Sequence, residues 1–162
     1  MPINYTVKQG DCIFSIAFAH GFFADTIWDH PNNAELKEKR EDPNVLMPGD
    51  MVFVPDKQLK EVSEPTQQVH KFKCKNTPKK FQIQIVRIGV PIKDMDYKLD
   101  VDGTVKEGRT DSEGWIKQNI LPNAKLAKLT IADGSYYELN LGHLDPIDEV
   151  TGIQGRLSGL GF

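Results

Sequence analysis

The chain has 162 residues, 39% of them hydrophobic, which is enough for one modest domain or two small ones with a buried core. Its 20 Lys and Arg against 23 Asp and Glu leave a net charge of −3, so no basic footprint for nucleic acid or an anionic membrane surface is present. No apolar run approaches the roughly 20 residues of a membrane helix, and MPINYTVKQGD lacks the basic, apolar and small-residue regions of a secretory signal; the expectation is a soluble, cytosolically made chain without membrane insertion.

Tyr5 and Val7 alternate with Thr6 and Lys8, which predicts a short half-buried strand before a turn at Gly10. Asp11 is then placed to cap a helix with Ile13, Ile16, Ala17 and His20 at helical spacing, and Gly21 to end it in the left-handed conformation. A second short helix runs from near Asp25 through Trp28, until Pro31, Asn32 and Asn33 interrupt it. Ala34 to Arg40 carries opposite charges and adds a turn or two of exposed helix before the break at Asp42-Pro43-Asn44. Pro48-Gly49-Asp50 reads as a turn and Met51 to Val54 as an apolar strand ended by Pro55.

The segments YTVKQGD, CIFSIAFAHG and PNVLMPGDMVFVP, in this order and spacing, resemble the LysM family from Tyr5 to Pro55. The resemblance implies a βααβ fold that binds N-acetylglucosamine-containing glycans, chiefly peptidoglycan or chitin, between the turn after the first strand and the loop before the second. Here these are Gly10, Asp11, Cys12, Ile13 and Phe14 on one side and Asn44, Val45, Leu46 and Pro48 on the other. An N-acetylated sugar needs backbone donors and acceptors for its acetamide and small apolar walls for its methyl; Gly10 allows close backbone approach, and Ile13, Val45 and Leu46 offer the walls. Gly10, Asp11 and Pro48-Gly49-Asp50 equally serve turns and caps. The sequence departs from the family at Cys12 and Ile13 and in a longer HPNNAELKEKRED segment.

DKQLKEVSEPTQQ (56–68) has the polar composition of an exposed linker. Beyond it, short alternating runs recur at Phe81, Ile83 and Ile85; Tyr97, Leu99 and Val101; Ala127, Leu129 and Ile131; and Tyr137, Leu139 and Leu141, bounded by Gly, Asp, Asn and Pro signals that predict an antiparallel β-sandwich. GVPIKDMDYKLDVDG followed by EGRTDSEGWIKQNILPNAKLAKLTI resembles the small transthyretin-like or carboxypeptidase-regulatory-like sandwiches, of which similar ones decorate spike proteins of bacterial type VI secretion systems. In LDPIDEVTGIQGRLSGLGF the period turns helical, with Asp145 as cap, Pro146 first, and Ile147, Val150, Ile153, Leu157 and Leu160 on one side. GIQGRLSGLGF resembles the opening helix of a peptidoglycan-binding domain of cell-wall hydrolases, without its further helices, and is expected to dock on the sandwich or on a partner. Gly152, Gly155 and Gly159 each weaken an isolated helix by roughly 1 kcal/mol relative to alanine, so packing must support it.

Candidate chemistry is sparse. Phe14, Phe18, Phe22, Phe23 and Trp28 read mostly as core. Cys12 and Cys74 read as free thiols, and His20, His30, His70 and His143 lack metal-ligand spacing. His143 with Asp145 is more simply a loop into a capped helix than a dyad, and Asp100, Asp102, Asp111 and Glu113 are turn carboxylates. Nucleophile elbows and phosphate loops are absent from the sequence.

The reading is therefore an α+β chain: a LysM-like βααβ module (1–55), a linker (56–68), an antiparallel β-sandwich (69–144) and a C-terminal helix (145–162). It is non-catalytic, with no metal or cofactor. Its expected partners are peptidoglycan or a chitin-like oligosaccharide and, through Val150, Ile153, Leu157 and Leu160, a spike or effector protein. The stretches IWDHPNNAELKEKREDPNVLMPGD and HLDPIDEVTGIQGRLSGLGF resemble proteins accompanying type VI or related contractile injection machinery, which would carry a chain without a signal peptide outward. The alternative is a cytosolic adaptor or chaperone that uses the LysM fold for protein binding and meets no sugar.

Overall fold

The computed structural model describes residues 1–58, 68–69 and 78–159. Most of the expected linker, with His70 and Cys74, and also Leu160 lie outside the described residues.

The first 54 residues run β1 (Ile3–Thr6), α1 (Ile13–His20), α2 (Ala24–Trp28), a 3-10 turn (Pro31–Asn33), α3 (Ala34–Arg40) and β2 (Met51–Val54). β1 and β2 pair antiparallel, Ile3 opposite Val54 and Thr6 opposite Met51. Gly21 ends α1 at φ +71°, its N–H donating to the carbonyls of Ala17 and Phe18, as the spacing predicts. The start of α1 differs from expectation: Cys12 holds the cap position and exchanges two hydrogen bonds with Ser15, its N–H donating to Ser15 Oγ and its carbonyl accepting from it. Asp11 instead braces the preceding turn, accepting from the Lys8 N–H at 3.1 Å and the Tyr5 hydroxyl at 2.8 Å. Burial and this bond to Asp11 push the Tyr5 phenol up to about 12. The core gathers Val7, Ile13, Ile16, Ala17, Ile27, Trp28, Leu36, Leu46, Val52 and Val54.

Two buried polar side chains tie this core together. Asn33 donates to the carbonyls of Ile27 and Phe53 and accepts from the Phe53 N–H, all within 2.8 Å, so it serves the free edge of β2 as a neighbouring strand's amide would. Arg40, expected on an exposed helix, is buried and forks onto Asp50, Nε to Oδ2 at 2.7 Å and Nη2 to Oδ1 at 3.0 Å.

The second half holds a four-stranded antiparallel sheet of order β10-β9-β6-β7, made of β6 (Asp96–Val101), β7 (Thr104–Arg109), β9 (Leu126–Ile131) and β10 (Tyr136–Asn140). A second pair joins β3 (Lys79–Gln84) to β8 (Trp115–Ile120), and a short hairpin joins β4 (Val86–Arg87) to β5 (Val90–Pro91). Inward residues of both main sheets share one core: Tyr97, Leu99, Val101, Ala127, Leu129 and Ile131 meet Ile116 and Ile85, with Phe81 and Ile83 against them. The turn before β8 is held by Asp111, whose carboxylate accepts from the N–H groups of Glu113 and Trp115 while Gly114 takes φ +77°.

The last helix, α4 (Val150–Gly159), begins four residues later than a cap at Asp145 predicts, because Pro146 lies in a turn closed by the Glu149 N–H. One of its glycines has a packing role. Gly152 is buried against the Asp145–Pro146 backbone, where an added Cβ would overlap the Pro146 carbonyl oxygen, and Arg156 Nη1 donates to Asp145 O and Gly152 O, both at 2.8 Å. Gly152→Ala is accordingly expected to lift α4 from this loop, so that amide exchange quickens across Val150–Gly159 while both cores keep their unfolding midpoints. Unchanged α4 protection would contradict the packing.

Candidate functional site

The two segments expected to hold a glycan are brought side by side by backbone hydrogen bonds. Ile13 N–H donates to Pro43 O, Val7 N–H to Asp50 O and Gly49 N–H to Val7 O, each at 2.9 Å. The loop between β1 and α1 and the loop between α3 and β2 thus form one end of the N-terminal unit, and Gly49 at φ +94° lets the second loop turn back against Val7.

Within that end the predicted residues divide. Ile13 and Leu46, expected as apolar walls, are core residues at 0% and 4% exposure and face inward. Asp11 is committed to its turn. Gly10, Cys12, Phe14 and Val45 are half-buried, and Asn44 and Pro48 are exposed. Asn44 is ordered by Asp42, whose Oδ1 accepts from its backbone N–H at 2.8 Å. Trp28 is buried as expected; Phe18 and Phe23 are exposed.

Residues from the second half reach this same end. The imidazole of His143 lies against Gly10, its Nε2 only 3.2 Å from where a Cβ would stand, and the Gly142 backbone packs on the Gly10 carbonyl. Lys79 places its ammonium 3.2 Å from the centre of the Phe14 ring. Burial beside the ring lowers the Lys79 pKa, against the opposing pull of Cys12 and Asp42. Gln9 Nε2 donates to Asp145 Oδ1 at 3.5 Å, Lys125 stands 3.9 Å from Asp11, and Arg40 Nη1 stands 4.0 Å from Asp148. Asp145 therefore faces Gln9. Behind Phe18, a cavity of about 460 Å³ opens between α1 and the apolar wall of Val101, Ile120, Leu121 and Pro122.

No family model, curated protein or solved structure matches this chain.

The remaining candidate chemistry resolves into structural roles. Asp100 accepts from the Gly103 N–H, Asp102 from the N–H groups of Lys125 and Leu126, and Asp111 from its own turn. Lys117 and the turn N–H groups hold the Asp111 carboxyl below the usual carboxylate range. Among the described residues, no group of three or more His, Cys, Asp and Glu stands together as a metal site, and no helix is long and apolar enough to cross a membrane. Cys12 is a half-buried free thiol.

The expected docking face on α4 is present as a surface. Val150, Ile153 and Leu157 are 69%, 46% and 45% exposed along one side of the helix. The sequence gives no sign of His143 and Lys79 at this end of the N-terminal unit, because no local pattern signals a contact between residues 65 or 133 positions apart.

Proposed function

We propose that this protein is a non-catalytic binding protein whose N-terminal unit, a LysM-like module, takes an N-acetylglucosamine-containing glycan such as peptidoglycan, and whose second half, a transthyretin-like sandwich with α4, docks on the spike or an effector of a type VI or related contractile injection system. The observation that supports it is the juxtaposition of the Gly10–Phe14 and Asn44–Pro48 segments at one end of β1 and β2, tied by the Ile13 to Pro43 hydrogen bond. With Ile13 and Leu46 inside, the sugar is met by backbone at Gly10 and Cys12, by the Phe14 ring, and by Asn44, Val45 and Pro48.

Sedimentation with purified peptidoglycan sacculi tests this. Saturable binding is expected, without release of muropeptides, and Asn44→Trp, a bulky change at an exposed rim position, is expected to weaken it at least tenfold with the fold intact. Absence of binding under all conditions would refute the glycan assignment. Substitutions at Ile13 or Leu46 would report on folding alone.

A second reading, an adaptor or chaperone that binds protein and never sugar, is favoured by the exposed apolar row of Val150, Ile153 and Leu157 together with the cover over Gly10 and Phe14. A firm protein complex lost on Ile153→Asp, without sacculus binding, would decide for it.

A further inference from the structure

We propose that the second half of the chain is a built-in, displaceable plug for the glycan end of the N-terminal unit: His143 and Lys79 occupy the faces of Gly10 and Phe14 that a sugar would use, and ligand binding requires the two halves to part. The inference rests on the glycan reading above.

The geometry separates the wall of the site from its occupant. Gly10 is a position where the absence of a side chain leaves room for a flat group to lie on the backbone, and the imidazole of His143 lies there, 3.2 Å from the Cβ position. An aromatic face such as Phe14 is where a sugar ring would stack, and the Lys79 ammonium is centred over it at 3.2 Å. One cover thus meets both halves of the expected recognition, the backbone and the ring, and both covering groups come from the second half.

The contacts that hold the cover are also of the separable kind. Gln9 to Asp145 is at the 3.5 Å limit of a hydrogen bond, and Lys125 to Asp11 is an ion pair at 3.9 Å with an exposed lysine. Among the described residues, none of the N-terminal hydrophobic core belongs to the core of the second half, so separation need not open either core. Two separately cored units joined by such contacts are the expected setting for relative motion.

The consequence is a population effect. If only the open form binds, the apparent affinity is the intrinsic affinity reduced by the open fraction, so a chain that is open about one-tenth of the time binds about tenfold more weakly than a permanently open one. Lys79→Ala/His143→Ala in the full chain removes the cover without touching the glycan-binding residues. Titrated with N-acetylglucosamine hexasaccharide by calorimetry, this variant is expected to bind about tenfold more tightly than the parent. Amide shifts at Gly10 and Asn44 should report both the parting and the ligand. Lys125→Ala/Asp145→Ala loosens the same interface through different contacts and is expected to move affinity in the same direction. Equal, measurable affinity in the parent and both variants would overturn the plug and leave the glycan reading standing. No binding by any of the three, with the Gly10 amide showing that the halves have parted, would overturn the glycan reading and the plug with it.

Discussion

Replacing Arg40 by methionine is expected to remove about 3–5 kcal/mol from the stability of the N-terminal unit, the usual consequence of leaving one member of a buried ion pair behind. Asp50 would remain at 7% side-chain exposure with the Met47 N–H at 2.9 Å and only the exposed Lys39, 3.7 Å away, to balance its charge. The double variant Arg40→Met/Asp50→Asn keeps an acceptor for Met47 and strands no charge, so it is expected to recover most of the loss, and the pair should be strongly non-additive. Urea unfolding followed by Trp28 fluorescence in a Trp115→Phe background reads the N-terminal core alone. A loss below about 1 kcal/mol for the single variant would show that the pair is solvated rather than buried.

The same pair makes the unit acid-labile in a definite direction. Burial pushes the Asp50 carboxyl up, but the bonds from Arg40 and the Met47 N–H, with the charges of Arg40 and Lys39, bring it below the ordinary 3.8. A carboxyl depressed in the folded state contributes stability that is fully present above its unfolded value and is lost as pH falls through the folded one. The parent should therefore hold this contribution down to about pH 4 and lose it below. In Arg40→Met, burial without the partner raises the carboxyl above its unfolded value, so the sign reverses: protonation of Asp50 as pH falls relieves part of the loss instead of adding to it.

Asn33→Ala is expected to be nearly as severe, at about 3 kcal/mol or more, by the same urea measurement. It leaves three backbone groups without their side-chain partner, the carbonyls of Ile27 and Phe53 and the N–H of Phe53, and an unsatisfied buried group costs about 1–3 kcal/mol. Asn33→Asp should not rescue, because it keeps an acceptor for the Phe53 N–H but turns an oxygen toward two carbonyls. A unit of about 55 residues commands only some 3–8 kcal/mol in total, so either change should leave it largely unfolded at moderate temperature. Retention of the parental midpoint in Asn33→Ala would mean that water replaces the amide at the β2 edge.

These two residues also mark where the sequence stops being legible. Strands β1, β2, β6 and β9 announce themselves by alternation or an apolar run, and Gly21, Pro48-Gly49-Asp50 and Asp111 to Gly114 by turn chemistry, because each signal is local. Asn33 sits in Pro-Asn-Asn, which reads as a helix breaker; its partner Phe53 is 20 residues away, and nothing in composition separates a capping asparagine from one that services a strand. Arg40 ends AELKEKR, whose charges suggest a solvated helix, and its partner Asp50 arrives only when the chain returns ten residues later. β7, TVKEGR, carries no apolar alternation and exists through its register with β6. At the candidate site the order of the two loops along the chain was readable, whereas the inward turn of Ile13 and Leu46 was not, since a wall and a core residue share the same side-chain chemistry.

Among the described residues the two hydrophobic clusters have no member in common, and this bears on how such a chain can change over time. Substitutions inside one are energetically invisible to the other, so each half is free to drift, repack or be exchanged without compensation across the molecule. What must stay matched are the contacts where the halves touch, among them Lys79 on Phe14, His143 and Gly142 on Gly10, and Gln9 with Asp145. A lineage could therefore join the same N-terminal unit to a different second half by altering only those positions.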